Sequence, residues 1–168
     1  MSEILDSGSR TEFESGAVRD EGESKGRCDL MPLSVISKIL GYDTTVGFVP
    51  FITDLNVHKR EIARRPYDDS FLYLALHHLF KESETDIVTI MLRLSQHFEK
   101  GAKKYGEYNW QKGIPVHSYI NSAVRHYLKW KRGDTDEDHF IACVWNIVCA
   151  IWTISHRPEC NDWVEKDD

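Results

Sequence analysis

The sequence predicts an all-α fold, a small helical bundle with short connections. Three observations predict it. Apolar residues recur at helical spacing through long segments in the second half of the chain. Glycine or polar stops close those segments, and no strand-like alternation of any length occurs. With 168 residues, 41% of them apolar and 29% charged, the chain can form one domain with a real core.

The elements follow in order. Residues 1–26 are rich in Ser, Gly, Glu and Asp and have few large apolar side chains, so they read as a flexible N-terminal segment. Their second half, from Ser15 to Arg27, interleaves bases with glycines and is expected to order only on a ligand. A short helix is expected next, with Asp29 near its cap, Pro32 in its first turn and Gly41 past its end. Residues 42–70, containing Pro50 and Pro66, read as an irregular connection, and Phe71–Phe80 as a helix. Together, about 42–84 form an expected helical and irregular insertion in a domain spanning 27–158, with a polar tail at 159–168.

Three stronger helices come next. The first spans Ile87 to Tyr105, with Ile87, Ile90, Met91, Leu94, Phe98 and Ala102 on one stripe and Gly106 as the stop. The second spans about Ser118 to Lys131, with Tyr119, Ala123, Tyr127 and Trp130 inward and Gly133 ending it. The third is expected to start at Asp134-Thr135-Asp136, acids and a hydroxyl suited to a helix N-terminus. It continues through Phe140, Ile141, Val144, Val148, Ile151 and Trp152.

A formal net charge of -6 argues against sequence-independent nucleic-acid binding, which needs a basic footprint. The four cysteines, Cys28, Cys143, Cys149 and Cys160, show neither a CxxC pair nor zinc spacing and are expected to be reduced. The N-terminus lacks the apolar stretch of a signal peptide, and no run approaches about 18 apolar residues. No membrane is expected, and the location is read as cytoplasmic.

The chemistry centres on acids. Glu137 stands at the mouth of the third helix's apolar stripe, with Asp138 beside it and Asp134 three residues earlier. Such a group is either a dipole-compensating cap or, with Glu99 from the facing helix, the oxygen shell that hard Mg²⁺ needs. His126 lies in line with Tyr119, Ala123 and Trp130, either as a hydrogen-bonded core residue or as part of a site. Arg125 offers a rigid fork to phosphate oxygens or a partner to a surface acid. Lys103 and Lys104 suit a helix C-terminus on the dipole alone. Asn109-Trp110 reads either as a stacking platform that reads a base edge or as a plug packing the loop onto the bundle. Asn146, in an apolar helical stretch, either orients a ligand or ties two helices together.

Several of these segments form an ordered series. They are Gly101-Ala102-Lys103-Lys104-Tyr105-Gly106, then Asn109-Trp110 and Lys112-Gly113-Ile114-Pro115, then Ser122-Ala123-Val124-Arg125-His126. Gly133-Asp134-x-Asp136-Glu137-Asp138-His139 and Trp145-Asn146 complete it. The series resembles the phage dATP/dGTP diphosphohydrolases, small MazG-like enzymes that include the MazZ type. Ser15-Gly16-Ala17-x-Arg19-Asp20 and Lys25-Gly26-Arg27-x-Asp29-Leu30-x-Pro32 resemble that family's opening segment. The resemblance covers about 15–40 and 88–157.

It implies an all-α MazG-like fold, Mg²⁺, and attack by water on the α-phosphorus with pyrophosphate leaving. In MazZ-type members the dGMP formed feeds synthesis of a modified purine nucleotide for the phage genome. MazG-like enzymes hold metal with ExxE on one helix and ExxD on the next. Here Ala102 and Phe140 stand three residues after Glu99 and Glu137, so the shell is expected to differ, using Glu99, Glu137 and Asp138, with Asp134 as a further candidate.

The expected enzyme therefore hydrolyses a purine deoxynucleoside triphosphate with Glu99, Glu137, Asp138 and His126 as catalytic residues. Arg19, Lys25, Arg27, Lys103, Lys104, Asn109, Trp110, Arg125 and Asn146 are expected to bind the substrate. Self-association is expected from spare apolar residues such as Trp152. The competing expectation is a phage accessory protein that binds nucleotides or a host partner without catalysis.

Overall fold

A computed structural model describes residues 10–20, 50–61 and 69–163 of the chain. Among these, a two-stranded ribbon precedes five α-helices, so the fold is all-α with one small addition. The ribbon pairs β1 (Arg10–Glu12) antiparallel with β2 (Val18–Asp20). The helices are α1 (Pro50–Glu61), α2 (Ser70–Ser83), α3 (Ile87–Tyr105), α4 (Val116–Arg132) and α5 (His139–His156). Short 3-10 turns at Asn109–Gln111 and Pro158–Cys160 lie in the α3–α4 connection and after α5.

The centre is the α4–α5 pair, against which α3 and α2 pack. Its core joins Tyr119, Ile120, Ala123, Val124 and Tyr127 of α4 to Phe140, Val144, Ile147 and Ile151 of α5. α5 is long and apolar enough to cross a membrane by length and composition, but 72% of it is buried inside the fold. The apolar run is the core helix of a bundle.

The span expected for α3, Ile87 to Tyr105, is the span observed. Asp86 caps its start by accepting from the Thr89 amide, and Gly106 ends it at φ 92. Its inner stripe is narrower than the apolar spacing suggested. Ile90 and Leu94 are buried, whereas Ile87 and Met91 are exposed together with Val88 and Leu92.

Four expectations are corrected. First, residues 10–20 are ordered by the chain itself. Gly16 adopts φ 74 in the turn, Ala17 is fully buried, and the Ser15 hydroxyl donates to the Gly113 carbonyl at 2.9 Å. Gly113 itself has φ 108, and a Cβ there would lie 3.1 to 3.3 Å from atoms of Cys160, Arg157 and Ser15, so a side chain would be strained and would press on its neighbours.

Second, the irregular stretch expected over 42–70 contains helix α1. Pro50 opens that helix, where a missing N–H costs nothing. Phe51, Ile52 and Leu55 are fully buried in the common core, and Phe51 stacks on Tyr127 with centroids 4.7 Å apart. Asp54 bonds His78 at 2.6 Å and so ties α1 to α2.

Third, α5 begins at His139 and not at Asp134. Gly133 turns the chain at φ 88 after α4, and Asp138, not the earlier acids, is the cap. Residues 134–138 therefore form a loop, which frees Glu137 to point differently from a helical residue. Fourth, the tail beyond Pro158 is not wholly polar surface. Asp162 accepts from the His117 amide at 3.0 Å, and Trp163 is buried beside His58.

Trp152, expected to be spare, stands edge-on to Trp110 and is stacked on His156. Cys143 and Cys149 are buried free thiols and Cys160 is free. The short helix expected around Asp29–Gly41, with Lys25, Arg27 and Cys28, lies outside the described residues.

Candidate active site

The α4–α5 connection brings three donor atoms together. His126, near the end of α4, and His139, first in α5, face each other with their Nδ1 atoms 3.0 Å apart. Glu137, released from helical geometry by the loop, places Oε1 3.2 Å from each of those nitrogens. The side chains of Glu137 and His126 are only 13% and 14% exposed, and that of His139 is 1% exposed, so this is a recessed cluster. The His139 Nε2 is engaged by Asp136 Oδ1 at 2.7 Å. The loop explains the convergence: a single residue, Asp138, separates Glu137 from His139, and a helical path would have splayed them apart.

Burial raises the Glu137 carboxyl above its ordinary range, while His139 and Lys129 pull it back. Burial lowers His126 to about 2, helped by the charges of Arg125, His139 and Arg19, so its imidazole is neutral. On α3, His97 lies with its ring 5.7 Å from Trp145, and burial lowers it to about 4, aided by Lys100 and opposed by Asp138. The groups acting on these side chains come from β2, α3, α4 and α5. They make one connected electrostatic unit.

The cationic wall is built separately. Arg19 of β2 donates to Asn146 Oδ1 at 2.6 Å, and its guanidinium lies 5.2 Å from the Tyr119 ring centroid. Asn146 in turn donates to the Ala142 carbonyl at 2.7 Å, so its amide is aimed by its own helix. Arg125 donates to the Ser122 hydroxyl at 3.1 Å. The ribbon that carries Arg19 is clasped by Asn109, whose side chain accepts from the Val18 amide at 2.9 Å and donates to the Val18 carbonyl at 2.8 Å.

The family model described as dATP/dGTP diphosphohydrolase, N-terminal, matches residues 78–163, just over half of the chain. The chain belongs to the dATP/dGTP diphosphohydrolase family. No curated protein and no solved structure matches it. The matched segment of this dATP/dGTP diphosphohydrolase family member holds His126, Glu137, His139, Arg125 and Asn146, while Arg19 lies before it. A nucleotide is accordingly the substrate class.

Of the site residues expected from sequence, the structure brings His126 and Glu137 together and sets Arg125, Arg19 and Asn146 around them. It does not add Glu99 or Asp138 to the cluster. Glu99 is 63% exposed and pairs with Lys103, one turn away on the same helix. Asp138 accepts from the Arg93 guanidinium at 2.8 to 3.0 Å on both its oxygens and also caps α5 through the Ile141 amide.

The expected Mg²⁺ shell of Glu99, Glu137 and Asp138 is therefore not formed. Two imidazoles and one carboxylate do not make the oxygen octahedron that Mg²⁺ demands. Among the described residues, the sets able to converge on a cation are His126–Glu137–His139 and Asp134–Asp136–His139. In the second, Asp134 is occupied by Arg132 through both carboxylate oxygens.

Lys103 is spent on Glu99, and Lys104 lies 5.2 Å from the Tyr105 ring centroid. Trp110 meets Trp152 and Phe98 edge-on, and its carbonyl accepts from the Tyr119 hydroxyl at 3.1 Å. With Asn109 holding Val18, the loop takes the plug arrangement in place of a stacking platform. Lys25 and Arg27 lie outside the described residues.

Sequence reasoning missed His139, Asp136, His97 and Arg93. His139 carried a signal: it directly follows the acid run Asp136-Glu137-Asp138 and so shares its turn. Arg93 and His97 are four residues apart on the face of α3 that the apolar stripe left unread.

Proposed function

We propose that this protein hydrolyses a purine deoxynucleoside triphosphate, dGTP or dATP, to the monophosphate and pyrophosphate. The substrate arrives as its Mg²⁺ complex, the ion being carried by the phosphates. One observation supports this reading above the others: a recessed carboxylate of raised pKa, Glu137, is held between two imidazoles beside Arg125 and Arg19.

A triphosphate is a polyanion, and bond breaking at the α-phosphorus shifts charge toward the leaving pyrophosphate. Fixed cations stabilise that shift, which is the main service phosphoryl transfer needs. Arg125 offers a guanidinium fork for phosphate oxygens. Arg19, aimed by Asn146 and backed by Tyr119, offers a second. Glu137 accepts the proton of the attacking water; its raised pKa brings it closer to the operating pH than an ordinary glutamate. The neutral imidazole of His126 fixes the carboxylate's direction. The purine preference follows the family resemblance, and the work of such an enzyme lies in the cytoplasm, where nucleotide pools are.

Incubation with Mg²⁺ and either dGTP or dATP, followed by anion-exchange chromatography, tests the reading. The expected products are the deoxynucleoside monophosphate and pyrophosphate in equal amounts. Release of inorganic phosphate with a diphosphate would move the attack to the γ-phosphorus. An unconsumed triphosphate that nevertheless binds would make the protein a nucleotide-binding accessory protein.

A further inference from the structure

We infer that Nδ1 of His126, Nδ1 of His139 and Oε1 of Glu137 form a resident site for one borderline divalent transition-metal ion, of the class of Zn²⁺, Co²⁺ or Mn²⁺. The inference deepens the proposed function because it concerns the same cluster, yet it stands on donor geometry alone.

The first argument is distance. The three atoms form a closed triangle with edges of 3.0, 3.2 and 3.2 Å. Donors about 2.1 Å from one ion, and 90° to 109° apart, lie roughly 3.0 to 3.4 Å from each other. The triangle therefore has the size of one face of an octahedral or tetrahedral shell.

The second argument is proton counting. Asp136 Oδ1 is a carboxylate oxygen and accepts, so the His139 Nε2 facing it at 2.7 Å carries the hydrogen. In the tautomer that hydrogen defines, the Nδ1 side of the ring is the one that can offer a lone pair. That lone pair faces the Glu137 oxygen, which is also an acceptor, and His126 Nδ1. Two ring nitrogens and a carboxylate oxygen thus crowd one recessed space. A cation at their centre satisfies all three.

The third argument is the outer shell. A ligating imidazole characteristically gives its other N–H to a carboxylate, which fixes the tautomer and strengthens the ligand. Asp136 occupies that place on His139. Imidazole ligands favour transition ions over Mg²⁺. Three donors on one side leave the remaining positions open to water or a phosphate oxygen.

The test is a titration of chelator-stripped, full-length protein with Co²⁺ in the absence of nucleotide, read by visible absorption. We expect ligand-field bands that saturate at one equivalent and are displaced by Zn²⁺. Glu137→Gln and His139→Ala are expected to weaken Co²⁺ binding at least tenfold, and Asp136→Asn by roughly tenfold. Asp134→Asn is expected to leave the titration unchanged. Circular dichroism of each variant establishes that it is folded.

Failure of the folded wild-type protein to bind Co²⁺ at one equivalent would overturn the site. Equal binding by Glu137→Gln and His139→Ala would do the same, as would a loss confined to Asp134→Asn. The two readings fail separately. Stoichiometric Co²⁺ without triphosphate hydrolysis removes the proposed reaction and leaves the metal site, whereas hydrolysis with Mg²⁺ and no Co²⁺ binding removes the metal site alone.

Discussion

Replacing Arg125 with Ala separates charge from shape at the site. A hydrogen bond to a charged group contributes about 1.5–3 kcal/mol, so kcat/KM for the triphosphate should fall roughly 10- to 100-fold. Arg125→Lys should recover only part of it, since an ammonium lacks the planar fork; full recovery would show that Arg125 does not meet phosphate. His97 gives a different measurement, in stability. Its pKa is about 4 in the folded protein, lowered chiefly by burial, against 6.5 when unperturbed. Between these values the unfolded chain binds more protons than the fold. Stability is therefore full above about pH 6.5 and lost as pH falls toward 4. At pH 5 the penalty is about 2 kcal/mol, so His97→Gln should lose roughly 4–8 °C less in Tm between pH 7 and pH 5 than the wild type does. An equal loss in both proteins, by calorimetry, would show that His97 is not buried neutral. The residue scale is also where sequence reading failed most. Glu137 and His126 were visible because a carboxylate and an imidazole interrupt apolar helical spacing. Glu99 sits one step round the helix from Phe98, and one step is enough to turn it to solvent.

At the scale of elements, the ribbon and the α4–α5 loop position the site, and each hangs on few contacts. Asn109 holds both backbone groups of Val18. Asn109→Ala leaves those groups without their partner and should cost about 1–3 kcal/mol. The loss should be local: hydrogen exchange at Val18 and Arg19 should quicken while α4 and α5 stay protected. Uniform acceleration would mean that the ribbon folds with the bundle as one unit. Helix α1 makes the opposite case. Phe51→Ala should cost about 3–5 kcal/mol, because Phe51 is fully buried against Tyr127. A small change in the denaturation midpoint would show that α1 is an appendage. The long helices were legible because 3.6-residue spacing and glycine stops both mark them. α1 was not, because Pro50 and a short, half-polar segment read as a loop until Tyr127 supplies the surface that Phe51 covers. The start of α5 was misplaced for a related reason: each of the three aspartates in the run is a good cap, and only tertiary contacts choose Asp138.

For the whole molecule, the bundle supplies a core around α4 and α5, and the proposed site lies in the connection between that pair. The family's ordered segments made the fold class and the enzyme family readable from sequence, since they bracket both helices. The donors proposed for a metal were not readable by analogy to carboxylate-only shells. Two of the three converging donors are imidazoles, brought together by a loop that sequence periodicity treated as helix. The central claim is that Glu137, held by His126 and His139, is the chemical centre for triphosphate hydrolysis. Turnover of Mg²⁺-dGTP by wild type and Glu137→Gln tests it most directly. The account predicts a loss of roughly 10²- to 10⁴-fold in kcat with an unchanged helical circular dichroism spectrum. Near-wild-type turnover by a folded Glu137→Gln protein would contradict it.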